Sequence, residues 1–159
     1  MNRTQPARPT RGFTLVEMLA VLAVLAILAM GVLPLAQLAQ QRQKEQALQH
    51  ALWEIREALD TFKRAADQGL LSQGVAPSGY PVSLEVLIQA QRDTQGRWQR
   101  FLRQVPRDPF ADEGLSAAQG WALRSYASED NAPRPGGDVY DVHSRSPVVG
   151  SNGVPVAQW

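Results

Sequence analysis

Gly12-Phe13-Thr14-Leu15-Val16-Glu17-Met18-Leu19 opens an apolar run that continues to Leu33 and holds a single charge, Glu17. The run is 21 residues long and otherwise almost entirely Leu, Val, Ala, Ile, Met and Gly. About 20 apolar helical residues cross a bilayer core, so the length suffices to span one. Arg3, Arg8 and Arg11 precede it, with no acidic residue among the first twelve. Positive flanks stay in the cytoplasm, which places the N-terminus inside and the bulk of the chain outside. Three readings compete: a removed secretory signal, a plain signal anchor, and a segment in which Glu17 has a task. A secretory signal has a shorter core of about 7–15 residues with a small-x-small site behind it; Leu38 to Gln43 offers no good site. A carboxylate at a membrane centre costs about 2.5–3.5 kcal/mol, and less near the interface. Glu17 therefore either sits among headgroups or has a function.

The remainder of the 159 residues is more polar, and the mean hydropathy of -0.26 averages two different materials. With no cysteine there is no disulfide framework, thiolate metal site or cysteine nucleophile. Sixteen basic against 15 acidic side chains argue against a dedicated nucleic-acid binder. Beyond Pro34 the helical pattern continues. Leu48, Leu52, Ile55, Leu59 and Phe62 form one apolar stripe, with Glu45, Glu54, Arg56, Glu57, Asp60 and Lys63 mostly off it. Gly69 is the expected end. From Phe13 to Asp67 such a helix is ~80 Å long, and Pro34 is expected to bend or locally break it. After Gly69 the chain turns rich in Gly and Pro. Ser78-Gly79-Tyr80-Pro81 reads as a turn, Ser83 as the N-cap of a short helix with Leu84, Leu87 and Ile88 facing in, and Asp93 to Gly96 as another turn. Arg97 to Gln104 reads as a second short helix. Residues 120–127 and 139–144 read as strands of a small antiparallel sheet against the long helix.

The junction from Gly12 to Leu19 resembles the prepilin leader of type IV pilins and type II secretion pseudopilins. The resemblance implies cleavage after Gly12 by a membrane prepilin peptidase, N-methylation of Phe13, and an assembly role for Glu17, which pairs with the Phe13 ammonium of a neighbouring subunit. Pro34 matches the family's helix-kinking proline. Losing the three leader arginines leaves 13 basic against 15 acidic side chains, formally -2. Later segments are similar to the major, G-like pseudopilins: Ile55-Arg56-Glu57-Ala58, Gly79-Tyr80-Pro81 with Ser83-Leu84-Glu85-Val86-Leu87, Phe101-Leu102-Arg103-Gln104-Val105-Pro106-Arg107-Asp108-Pro109-Phe110, Trp121 to Tyr126 and Val139 to Ser144. They favour a pseudopilin over an adhesive pilin, as does the lack of a C-terminal cysteine pair.

The implied fold is α+β and type IV pilin-like: a long N-terminal helix, its first half transmembrane, packed on a small antiparallel sheet with short helices and C-terminal loops. Its parts are a leader (residues 1–12), a transmembrane and filament-core helix (13–34), an amphipathic half (35–68) and a periplasmic globular head (69–159). The implied function is structural, not enzymatic: polymerisation into the periplasmic pseudopilus of a type II secretion system to drive protein export. The implied partners are copies of itself, the prepilin peptidase, the inner-membrane assembly platform, minor pseudopilins and the membrane, with no nucleic acid. The implied location is the inner membrane, single pass with the N-terminus cytoplasmic, and then the periplasmic filament. A type IV pilin or DNA-uptake pseudopilin, and a membrane-anchored periplasmic binding domain that never polymerises, remain as alternatives.

Other candidate chemistry is sparse. His50 and His143 are isolated in sequence, an exposed helix residue and a strand residue without metal partners. Arg92, Arg97, Arg100, Arg103 and Arg107, beside Trp98 and Phe101, could bind a single strand; a solvated helix face over a small core is the preferred reading, with pairing to a neighbouring subunit's acidic residues between the two. Tyr80, Trp121, Tyr126, Tyr140 and Trp159 read as core or cover. Asp130, Asp138 and Asp141 invite calcium, which takes six to eight oxygen ligands. The resemblance implies a calcium site in the C-terminal loops; in this sequence Asp138 and Asp141 are the candidate ligands, with turns and solvated strand edges as their alternative roles. The sequence departs from that pattern, because Val148 to Trp159 has no carboxylate side chain.

Overall fold

The structure, a computed structural model, describes residues 12–129 and 131–159, with the side chains of residues 30–35 excepted. The leader arginines, Asp130 and the Pro34 side chain lie outside the described residues. The chain divides into two units, Met1–Gln40 and Gln41–Trp159.

One helix, α1, runs over Leu15–Asp67. Its start is set by Thr14, whose Oγ1 accepts the Glu17 amide at 3.2 Å. Its end is set by Gly69 at φ 68°, a left-handed conformation that glycine adopts without a Cβ penalty. The Gly69 amide donates to the Ala66 carbonyl at 2.9 Å and the Leu70 amide to Ala65 at 3.0 Å, so the last carbonyls are satisfied in a Schellman arrangement. In the first unit the described apolar side chains of α1 are all exposed, from Met18 at 44% to Leu15 at 76%. Among the described residues no helix is long and apolar enough to cross a membrane. The described side chains of the apolar run end at Ala29, four residues short of Leu33.

In the second unit the expected stripe is the core. Leu48, Leu52, Ile55, Leu59 and Phe62 are buried against Leu84 and Leu87 of α2 (Leu84–Ile88), with Trp121, Val142 and Val156 in the same cluster. Ser83 holds the N-cap position of α2 but makes no side-chain capping bond. Four short strands follow: β1 (Gln91–Arg92), β2 (Trp98–Gln99), β3 (Trp121–Arg124) and β4 (Asp141–Ser144). They form two antiparallel ribbons, β1 with β2 and β3 with β4, rather than one sheet. The β3–β4 register pairs Trp121 with Ser144 and Arg124 with Asp141. A 3-10 turn over Val156–Gln158 brings in Trp159, whose ring lies against Gly150 so closely that a Cβ there would stand 2.4 Å from it. The architecture is α+β, with a long N-terminal helix and small antiparallel sheets, and it fits the pilin-like fold.

The helix expected over Arg97 to Gln104 is absent. The Asp93 carboxylate accepts the Gln95 and Arg97 amides at 2.9 and 2.8 Å, which closes a turn and sends the chain back as β2. The Phe101 and Leu102 amides then both donate to the Leu87 carbonyl, so neither enters a helical ladder.

Phe62 is fully buried and meets Phe101 edge-on at 5.1 Å between centroids. Phe62→Ala is expected to cost about 3–5 kcal/mol, read as a lower thermal midpoint by circular dichroism.

Candidate functional site

The expected cut lies between two exposed residues in non-helical chain. Gly12, Phe13 and Thr14 precede the first turn of α1, and Phe13 is 74% exposed. Nothing stands within 4 Å of a Cβ built on Gly12, so the fold itself does not require glycine there. Thr14 is the N-cap: its hydroxyl takes the Glu17 amide and its carbonyl accepts the Met18 amide at 3.1 Å, the first bond of the ladder. Glu17 is thus the third helical residue, where the helix dipole favours a carboxylate by about 0.3–1 kcal/mol. Thr14-Leu15-Val16-Glu17 is a capping-box pattern, a signal that composition and hydropathy do not reveal. The Glu17 carboxylate is exposed and takes no hydrogen bond or ion pair among the described residues.

In the second unit the calcium candidates have separate work. Asp138 is buried and accepts the Ser78 and Ser125 hydroxyls and, at 3.1 Å, the Tyr126 amide. Burial pushes its carboxyl up, but the Ser125 and Ser78 hydroxyls and the Tyr126 amide outweigh that and hold it below the usual range. Asp141 accepts Arg56 Nε at 2.8 Å and its neighbour's Val142 amide at 2.8 Å. Among the described residues no group of three or more His, Cys, Asp or Glu is arranged to hold a metal. Asp138 therefore staples a turn to β3's exit, and Asp141 pins β4 to α1.

Two polar anchors were not evident in advance. Glu45, expected off the stripe, is buried and accepts the Ser151 amide at 2.8 Å, the Ser151 hydroxyl and Gln41 Nε2 at 2.9 Å. The Ser151 hydroxyl leads in lowering its pKa, over an opposing effect of burial. Glu45 stands three residues before Leu48, so it continues the stripe spacing by one step. Arg56 donates to Asp141, to the Val142 carbonyl at 3.3 Å and to the Trp159 carbonyl at 2.8 Å. Of the histidines, His50 is exposed and stacked on Trp53, and burial pushes the His143 pKa down on β4. Of the arginines, Arg97 Nε bonds Asp93 at 2.9 Å and Arg107 reaches the Glu113 carbonyl at 3.0 Å, both in loops rather than on a helix face.

An exposed, non-helical junction and a capped first turn carrying one acidic residue thus open the apolar part of α1. Residues 7–33 match the family model of the prokaryotic N-terminal methylation motif, which supports the pilin superfamily. No curated protein and no solved structure matches the chain.

Asp93 supplies an acid test of the second unit. Burial pushes its carboxyl up, but bonds from Arg97, Gln99 and Gln95 bring it down from 3.8 to about 2. A lowered folded pKa contributes stability above the unfolded value, and that stability is lost as pH falls through the folded one. Thermal midpoints should therefore drop between about pH 4 and pH 2. Asp93→Asn should melt earlier at neutral pH and show a flatter acid limb.

Proposed function

We propose that this chain is a pseudopilin of a type II secretion system, made as a membrane precursor and polymerised into a periplasmic filament that drives protein export. The match of residues 7–33 to the N-terminal methylation motif carries the reading. In it, a prepilin peptidase adds water across the Gly12–Phe13 peptide bond, leaving the Gly12 carboxylate on the leader and an ammonium on Phe13. Methylation of that nitrogen follows. The exposed, non-helical chain from Gly12 to Thr14 supports this, because a peptidase must reach the bond from both sides.

Residues 13–33 serve first as a single-pass inner-membrane anchor, with the N-terminus cytoplasmic and the second unit periplasmic. An assembly platform then moves the rod from lipid into a bundle of like rods, so that little apolar surface meets water. Head-to-tail contacts that do not close extend the filament, and minor pseudopilins complete it. Glu17 acts in register, pairing with the Phe13 ammonium of the next copy. Its carboxylate, without a partner among the described residues, supports that task, since a carboxylate buried without a partner is costly.

Mass spectrometry of the mature N-terminus is the direct check, and a singly methylated chain beginning at Phe13 is the expected result. An intact Met1, or a cut at another bond, would remove the proposal. Glu17→Ala should be processed normally yet yield no filaments by electron microscopy and no secretion.

A further inference from the structure

Trp53 and Trp98 are each 65% exposed, an unfavourable placement for the largest apolar side chain unless something covers it. They come from α1 and β2 and line one cavity of about 550 Å³ in the second unit. Its volume lies within the roughly 300–1,000 Å³ of small-ligand sites. The same cavity is lined by Glu54 and Glu57 from α1 and by Arg100 and Arg103 beyond β2. Each indole is steadied from outside the cavity: the Arg92 guanidinium lies 5.1 Å from the Trp98 ring centre, and His50 stacks on Trp53 at 6.5 Å. Arg100 and Arg103 are exposed and take no hydrogen bond or ion pair among the described residues.

The lining holds two carboxylates and two guanidiniums, and one oxygen of Glu57 is already paired with Arg64 at 3.1 Å. A polyanion meets Glu54 and Glu57, and a polycation meets Arg100 and Arg103, so each faces like charge. An apolar segment would have to strip water from all four charges. A neutral ligand rich in hydroxyls avoids both costs. Hydroxyls donate to carboxylates and accept from guanidiniums, and the apolar faces of flat sugar rings stack on indoles. Chains of β-linked pyranoses suit this chemistry, with C–H bonds on both ring faces and hydroxyls around the rim. We propose that this cavity binds a neutral β-linked oligosaccharide, with Trp53 and Trp98 as stacking platforms and Glu54, Glu57, Arg100 and Arg103 as hydroxyl partners.

The test is titration of the full chain, in micelles of a detergent without a sugar headgroup, with chitotetraose and separately with cellotetraose. Tryptophan fluorescence and calorimetry are the readouts. Saturable binding of at least one sugar is expected, weakened about fivefold to tenfold by Trp53→Ala or by Trp98→Ala. Arg100→Ala combined with Arg103→Ala should weaken it as well. Where an alanine variant melts early, Trp53→Tyr and Trp98→Tyr keep a ring and should retain most of the binding. No saturable binding of either sugar, or binding unchanged in every variant, overturns the proposal. So does binding of a single-stranded oligonucleotide in place of sugar, or Trp-dependent self-association without sugar binding, which would assign the cavity to a second copy. Unprocessed chain serves equally well, so a failure here leaves the pseudopilin reading standing.

Discussion

The apolar stripe of α1 from Leu48 to Phe62 is the surface on which the second unit is built. A helix with one greasy face is stable only where something covers it. The cover here is a short helix, the β3–β4 ribbon, a 3-10 turn and loop residues such as Leu102 and Val105, none of which has enough apolar area to persist alone. Polar groups beside the stripe then fix where the cover sits. Glu45 holds the loop at Ser151, and Arg56 gathers Asp141, Val142 and Trp159 onto the same helix. Burial supplies the driving force, and these charge-assisted bonds supply the geometry.

The parts of this fold that could be read in the sequence are those whose signal is periodic. The stripe repeats at helical spacing, and β3 and β4 fall inside the segments read as strands, residues 120–127 and 139–144. Residues 97–104 carry a helical spacing that the fold does not use. Trp98, Phe101, Leu102 and Val105 sit at helical spacing, yet Asp93 and Gly96 close a turn whose ribbon is only two residues a side, too short to carry a period. Ser83 is the right residue type for a cap but makes no capping bond on a helix of five residues. Asp138 draws its partners from 60 and 13 positions away, a pairing that only the folded chain makes. Glu45 is a different case, since a polar residue in step with an apolar stripe is itself a signal of a buried anchor.

The first unit has the opposite character. Its described apolar side chains are all exposed, an area of apolar surface that marks a membrane or partner contact. Its informative groups are few and polar, Thr14 and Glu17, and both act on backbone or charge rather than on packing.

The Thr14 cap has a bearing on chain polarity. A helix N-terminus already carries about half a positive charge. Cleavage after Gly12 would set a full ammonium one residue ahead of the capping threonine, like charge beside like, with the cap still in place. The capped end would then be a concentrated cationic point, one that would repel its own equivalents on any parallel rods and draw in a carboxylate carried at a fixed height. Spacing along a bundle of such rods would be governed by that alternation of charge, while the surrounding leucines and valines, being interchangeable along their length, would leave the rods free to slide.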